Sequence, residues 1–411
     1  MEKTTARPTE RPSPTAQRVS PLAADIRGYS KLAVDATLGV TGMVENLHSN
    51  ITRSGGPLGT PTLKPARGIS GFVYRSIRGT ARLVGAGLDT ALAALTPLLP
   101  RTNTSGQREA IISALNGIAG DHLVASNNPL AIDMELRHNG QSLALDTESL
   151  STTLPTANGK LLIMLHGLCM NDRQWRRDGH DHGAELAREG FTPLYLRYNS
   201  GQHISTNGQA FADLLETLIK TWPVPVEKIV LLGHSMGGLV SRSACHYGTA
   251  AQYTWPQRVT KIFFLGTPHH GSPVERGGNL LDRVLGFSPY TAAFSRLGKI
   301  RSAGITDLRF GSVIDDDWNG KDRFAPSKSP DVILPLPSAI ACYAIAATLG
   351  EDASGGDGLV QVDSALGLHA TPNRMLDIPA PRQWIVSSTN HMELLSSAAT
   401  CEQLKRWLNE A

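Results

Sequence analysis

Lys228-Ile229-Val230-Leu231-Leu232-Gly233-His234-Ser235-Met236-Gly237-Gly238-Leu239-Val240 decides how the rest of this chain is read. A short apolar run, Ile229 to Leu232, stops at Gly233-His234-Ser235-Met236-Gly237, and a second apolar stretch follows at helical spacing. A Gly-x-Ser-x-Gly pentapeptide arises by chance in a chain with 40 glycines, so the motif alone decides little. Its setting decides more. A strand that turns sharply into a helix lifts the central serine to the end of a sheet with its hydroxyl exposed. Glycine is needed on either side because a Cβ there would strike the neighbouring strand or helix. The helix behind Ser235 aims unsatisfied N–H groups at the same point.

A serine hydroxyl needs a base to take its proton, and the base needs an acid to orient it. Around such a turn the chain order is Ser, then Asp or Glu, then His, with the His after the last strand. Gln383–Ser388 reads as that strand and His391 follows it, so His391 is the candidate base. His369, between the last two strands, reads as a loop residue. The acid is sought in Gly350–Val360, where Asp357 lies between glycines and ahead of an apolar pair; Asp352 and Asp363 are the alternatives. A developing oxyanion needs two fixed N–H donors. Met236, directly after the serine, supplies one. Leu168 supplies the other, because the apolar run Leu161–Leu165 ends at His166-Gly167-Leu168-Cys169. Cys169 reads as a small loop residue near the site. His234 and Met236 read as packing and orienting neighbours.

Outward from these residues, strands are expected at 160–165, 192–197, 228–233, 260–265, 340–347 and 383–387. Helices are expected near 182–189, 207–221, 236–247 and 391–408. Ahead of them, Ala131–His138 and Gln141–Leu145 flank Asn139-Gly140, the strongest two-residue hairpin signal. A hairpin leading into strand–helix alternation implies an α/β fold: a mostly parallel sheet with helices on both faces. About 75 residues separate the strands at 260–265 and 340–347, too many for a plain connection. Residues 271–338 therefore read as a cap or lid insertion, with two short amphipathic helices among Leu280–Leu297. Residues 1–20 are Pro-rich and charged and read as a disordered tail. Residues 21–120 read as an N-terminal helical extension with helices over 25–51, 69–95 and 108–118, and the catalytic domain as 121–411.

The chain is 411 residues long with 41% hydrophobic and 18% charged residues, ordinary for a globular protein. A formal charge of +3 calls for no nucleic-acid partner. Residues 1–110 nevertheless carry 14 Lys+Arg against 7 Asp+Glu, while the remainder carries 25 against 29. The basic part precedes the catalytic fold. Cys169, Cys245, Cys342 and Cys401 form no Cys-x-x-Cys pair and read as free thiols. Met1–Ser20 lacks the apolar core of a secretory signal, and Leu83–Leu99 is too short and interrupted to span a bilayer. The expected location is cytoplasmic, with peripheral membrane or lipid-body contact through the basic helices of 21–120 as the sharper reading and packing on the core as the plainer one.

His166-Gly167-Leu168, Gly233–Gly238, Gly266-Thr267-Pro268-His269-His270-Gly271-Ser272, Asp357–Val360 and Asn390-His391 together resemble the serine lipases and esterases of the α/β-hydrolase superfamily. The Gly-Thr-Pro-His-His-Gly-Ser stretch is similar to the lipase group related to GPI inositol-deacylases and bacterial triacylglycerol lipases. The resemblance covers roughly 130–411 and leaves out residues 1–107. It implies an eight-stranded α/β-hydrolase fold and hydrolysis of lipid-like or medium-chain carboxylic esters through an acyl-serine. The implied substrate is a small-molecule acyl ester or lipid. No cofactor and no metal are expected; some secreted members of the group use calcium, and no calcium loop is evident here. An acyltransferase or thioesterase with the same three residues, and a non-catalytic lipid-surface scaffold acting through the N-terminal helices, are the alternatives.

Overall fold

The computed structural model describes residues 106–271, 302–321, 333–351 and 355–410, and helical positions between 25 and 34. The chain divides into two compact units, one of 1–104 with 128–130, the other of 105–127 with 131–411. In the first unit, Asn128 Nδ2 donates to the Gly28 carbonyl at 3.0 Å. The remaining expected features of residues 1–104, and the amphipathic helices expected at 280–297, lie outside the described residues. Among the described residues, no helix is long and apolar enough to cross a membrane.

Among the described residues, the second unit has ten strands. These are β1 (Glu135–His138), β2 (Gln141–Ser142), β3 (Lys160–Leu165), β4 (Arg176–Arg177), β5 (His180–Asp181), β6 (Thr192–Arg197), β7 (Lys228–His234), β8 (Val259–Leu265), β9 (Ala341–Ala347) and β10 (Gln383–Val386). Eight of them form one sheet in the order β2-β1-β6-β3-β7-β8-β9-β10, and β4 and β5 pair separately as a hairpin. β1 runs antiparallel to β2 and β6, while every pairing from β6 to β10 is parallel. The Asn139-Gly140 turn joins β1 to β2 with both residues at positive φ, 51° and 74°, as a tight twisted hairpin requires.

The central strands are apolar over Leu161–Leu165, Ile229–Leu232 and Ile262–Leu265 because both faces of the sheet are covered. Leu161, Ile163 and Leu165 of β3 and Ile229 and Leu231 of β7 join one core with Phe211, Leu215, Leu239 and Val240. Those last four belong to α4 (Ile204–Thr221) and α5 (Met236–Ala250). The alternate residues Leu162, Met164, Val230 and Leu232 face a second core with Leu186, Leu404 and Trp407. These come from α3 (His182–Ala187) and α8 (Ala398–Asn409). The remaining helices are α1 (Gly106–Ala125), α2 (Thr147–Thr153), α6 (Ala303–Phe310) and α7 (Val362–Ala365). This is an α/β-hydrolase fold.

Two elements differ from the sequence reading. The helix expected at 108–118 and grouped with the N-terminal extension is the first part of Gly106–Ala125, which kinks at Ala119, and it lies in the same unit as the sheet. Buried polar contacts hold it there. Glu109 pairs with Arg137 of β1 at 3.1 Å, Asn199 Nδ2 donates to the Gly120 carbonyl at 3.1 Å, and Ser302 Oγ donates to the Gly117 carbonyl at 2.6 Å. The helix expected over 391–408 begins only at Ala398. Asn390 Oδ1 accepts the N–H groups of Met392 and Glu393 at 2.9 and 3.0 Å, which closes a local turn. Ser397 then caps α8 by accepting from Thr400 N–H. His391 thus sits in a loop.

The insertion between β8 and β9 is described in part. Its α6 is tied to the start of α4, where Asp307 accepts from Ile204 N–H at 2.8 Å. Trp318 stacks on His203 with ring centroids 3.6 Å apart.

Packing at the β7–α5 turn leaves no room for a side chain. A Cβ on Gly237 would strike the Leu165 carbonyl of β3, and one on Gly233 would strike the Gly238 backbone. Backbone cannot rotate away as a side chain can. Gly237→Ala is therefore expected to lower the unfolding free energy by about 1–3 kcal/mol. Urea denaturation checks this, and an unchanged midpoint would show that α5 shifts at no cost.

Candidate active site

Ser235 stands between the last residue of β7 and the first of α5 at φ 53°, ψ −119°. A non-glycine residue reaches positive φ only where surrounding structure holds it. Here Ser235 N–H donates to the Leu265 carbonyl at the end of β8, 2.8 Å away, and Ser235 O accepts from Gly238 N–H at 3.1 Å. The residue is half-buried, between a fully buried strand and a buried helix start. Its hydroxyl makes no hydrogen bond among the described residues, a common state for a catalytic hydroxyl before substrate closes the site.

The loop after β3 comes up beside it. A Cβ on Gly167 would lie 3.2 Å from Ser235 Cβ, so a side chain there would press on the serine and the loop packs most easily with glycine. His166 fixes the loop's course. Its ring stacks on Tyr198 with centroids 4.3 Å apart, its carbonyl accepts from the Tyr198 hydroxyl at 2.7 Å, and its Nδ1 lies 2.8 Å from the Gly167 carbonyl. Nδ1 faces an acceptor, so it carries the hydrogen and Nε2 is left to accept from Tyr198 N–H. Burial keeps His166 neutral, pushing its pKa down to about 3. Cys169 N–H donates to Ser200 Oγ, and Met170 N–H to the Gly167 carbonyl. Leu168 N–H has no acceptor among the described residues. Met236 N–H opens α5, whose first residues lack a side-chain cap. Two unclaimed N–H groups thus flank Ser235, on residues 168 and 236.

Cys169 is buried at φ 60°, packed against Gly117 of α1. Burial pushes its thiol up to about 12, which keeps it protonated and unreactive.

Asp357 and His391 meet in the interior, 1% and 2% exposed. His391 Nδ1 lies 2.7 Å from Asp357 Oδ2, and His391 N–H donates to the Asp357 carbonyl at 3.1 Å. The other carboxylate oxygen accepts the N–H groups of Leu359 and Val360 at 3.0 and 2.8 Å. Gly358, at φ 95°, turns the chain so that those two N–H groups face back. Every contact to this carboxylate is a donor, so the His391 proton sits on Nδ1 and Nε2 is left with its lone pair. His234, next to Ser235 in the chain, bonds through Nε2 to the His391 carbonyl at 3.0 Å, and the two rings lie 4.7 Å apart. Gly266, at φ 55°, makes room for this. A Cβ there would come within 3.1 Å of the His391 ring. The structure therefore brings Ser235, His391, Asp357 and the Leu168 and Met236 N–H groups to one end of the sheet.

The alternatives fall elsewhere. His369 lies half-buried and accepts from Thr371 N–H, and Asp363 is exposed on α7. Asp352 is outside the described residues. One contributor was read from the sequence as an orienting neighbour, and another was not evident in it. His234 tethers the His391 loop through its imidazole. Arg242 of α5, buried with no carboxylate partner, donates to His269 Nδ1 at 3.3 Å and to the Leu334 carbonyl. It links the Gly-Thr-Pro-His-His stretch to the end of the insertion, and burial brings its pKa down to about 10. An Arg seven residues after the serine, two helical turns on, is a signal that periodicity alone cannot separate from a surface charge.

Four imidazoles around this site are held neutral by burial. His166 falls to about 3, His182 to about 4, and His234 and His269 lie well below the usual value. The unfolded chain binds protons on these groups from about pH 6.5 downward, where the folded chain does not. Stability is thus full above about pH 6.5 and declines as pH falls toward the folded values. Between pH 7 and 5 the unfolding free energy is expected to drop by about 2 kcal/mol for each such histidine. Urea titrations across that range check it, and a flat profile would refute the neutral, buried assignment.

Residues 156–334 match the family model of the PGAP1-like alpha/beta domain. A GPI inositol-deacylase of Kluyveromyces lactis is 33% identical over 98 residues, which is 23% of this chain and 9% of that protein. The chain therefore spans a small part of that relative's length. Among solved structures, the mature lipase BlEst2 of Bacillus licheniformis aligns at 18% identity and TM-score 0.39, over 61% of this chain and 92% of that one. An esterase of Thermogutta terrifontis aligns at 15% and 0.35, over 62% and 90%. Asp357 and His391 lie beyond the matched range, in the loops after β9 and β10 of the same sheet, and the His391 carbonyl accepts from His234 beside Ser235. Residues 156–334, which carry β3, the Ser235 turn and most of the insertion, are thus similar to the PGAP1-like alpha/beta domain.

Proposed function

We propose that this chain is a serine ester hydrolase acting on acyl esters of lipids. The observation that carries this reading is the buried Asp357–His391 pair, held at 2.7 Å and packed against the residue that precedes Ser235. In this mechanism Ser235 Oγ attacks the acyl carbonyl as His391 Nε2 takes its proton. Asp357 accepts the Nδ1 hydrogen and stabilises the imidazolium. The Leu168 and Met236 N–H groups receive the oxyanion; one such donor is worth about 10²–10³ in kcat. His391 then protonates the leaving alcohol, and water, activated by the same imidazole, releases the acid from the acyl-serine.

The lipid part of the proposal rests on the PGAP1-like match and on the name of the Kluyveromyces relative, which describes removal of an acyl group from inositol. By analogy, the scissile bond here joins an acyl chain to a hydroxyl of a lipid headgroup. Water as the acceptor, rather than a second alcohol, is part of the proposal.

Ser235→Ala should abolish p-nitrophenyl ester turnover and fluorophosphonate labelling while leaving the urea midpoint in place. Turnover retained in that variant would refute the assignment. Asp357→Asn should lower kcat by about 10³–10⁴-fold, because the amide no longer fixes the imidazole tautomer. A chain-length series of acyl esters, with and without detergent micelles, tests the substrate class. A preference for short soluble esters that micelles do not change would remove the lipid from the proposal.

A further inference from the structure

We propose that His180, His182 and Cys401 form a binding site for one zinc-class divalent cation, tying the β4–β5 hairpin to α8 behind the His391 loop. The three residues come from β5, the first turn of α3 and α8, and their donor atoms all lie within 4.8 Å of one another. Two imidazoles and a thiol form a donor set for borderline-soft metals such as zinc and do not suit calcium or magnesium.

The orientation of the rings points the same way. His182 Nε2 lies 2.8 Å from the Leu394 carbonyl, which can only accept. Nε2 therefore carries the hydrogen and Nδ1 presents its lone pair, the arrangement that a backbone carbonyl imposes on metal-binding histidines. That lone pair faces His180 Nε2 at 2.8 Å. Without a cation, the His180 hydrogen fills the gap between the two nitrogens. A tetrahedral zinc with bonds of about 2.0–2.1 Å to nitrogen and 2.3 Å to sulfur spaces its ligand atoms about 3.3–3.6 Å apart. The imidazoles thus open slightly and the thiolate closes by about an ångström, movements within the reach of side-chain torsions.

Proton balance is simple. His180 moves its hydrogen to Nδ1, and Cys401 gives up its thiol proton to solvent. Burial raises that thiol to about 11, with the Lys405 ammonium pulling the other way, so the metal has to displace the proton. His182 and Cys401 are buried, while His180 is half-buried and opens the site to solvent. Neighbouring carboxylates are engaged elsewhere. Asp181 Oδ1 accepts from Gly183, Ala184 and the Tyr195 hydroxyl, and Glu185 pairs with Lys405 and Arg188. The fourth ligand is then water.

The site's place in the fold gives it a purpose. Leu394, whose carbonyl orients His182, belongs to the short turn directly after His391, and its side chain packs where a Cβ on Gly266 would fall. A cation here braces the loop that carries the candidate base without touching Ser235.

Cobalt(II) is the probe, titrated into the chelator-treated full chain and followed by its thiolate-to-metal absorption in the near ultraviolet and by equilibrium dialysis. The expected result is one cobalt per chain, displaced by zinc, with a higher melting temperature. Cys401→Ser should remove the near-ultraviolet band, and His180→Ala, a half-buried position that leaves the core alone, should weaken binding at least tenfold. No retained cobalt and no band would overturn the proposal. So would binding that persists unchanged in both variants, because the metal would then sit on other side chains.

Discussion

The site depends on a backbone approach that only glycine allows. α5 begins so close to β3 and β8 that Gly233, Gly237 and Gly238 have no room for a Cβ. That contact bends the chain at Ser235 to φ 53° and brings the first N–H groups of α5 level with the loop after β3. A second glycine pair does the same for the other components. Gly167 allows the loop after β3 to come against Ser235, and Gly266 lets the end of β8 pass under the His391 ring. Steric exclusion thus positions the serine, the N–H donors and the imidazole relative to one another. Hydrogen bonds then fix their orientation.

Those hydrogen bonds converge on main-chain groups. His391 is held at its Nδ1 by Asp357 and at its carbonyl by His234. Asp357 is in turn held by three main-chain N–H groups, those of Leu359, Val360 and, through its own carbonyl, His391. His166 and Tyr198 lock the loop after β3. In a medium with little water each of these contacts is stronger than it would be at the surface, and each would be costly to leave unmade. The same burial strips charge from the surrounding imidazoles. His234 Nδ1 and His269 Nε2 have no hydrogen-bond partner, so the region is tolerant of neutral histidine and intolerant of imidazolium.

The wider frame is fastened by polar contacts at helix ends. α1 is joined to β1 through Glu109 and Arg137, to the loop after β6 through Gly120 and Asn199, and to the insertion through Gly117 and Ser302. Glu135 and Asp172 also face Arg137, at 2.7 and 3.2 Å, so one buried guanidinium serves three carboxylates. Removing Arg137 would leave the buried Asp172 carboxylate without its ion pair, which is costlier than never having buried it. α1 is thus part of the same unit as the sheet, although its place in the sequence groups it with the N-terminal extension.

The serine turn was legible because its chemistry is local: strand pattern, glycine spacing and helix pattern occupy thirteen consecutive residues, 228–240. The strands of the parallel sheet were legible for a related reason. A strand buried on both faces must be apolar throughout, and Leu161–Leu165, Ile229–Leu232 and Ile262–Leu265 are apolar runs bounded by polar or glycine residues. Chain order then singled out Asp357 and His391 as the partners to expect. The sequence could not show that Asp357 accepts two N–H groups and a ring hydrogen at once, because those donors come from a turn shaped by Gly358. Nor could it show that His180, His182 and Cys401 converge, since residues 182 and 401 are neighbours only after the sheet has brought α3 and α8 together. By itself the sequence determined the sheet, the serine and the order of its partners, since these follow from periodicity and the geometry of adjacent residues. Tertiary structure decided which N–H groups stay unclaimed, which imidazoles stay neutral and which helix belongs to the core, because each depends on burial among residues distant along the chain.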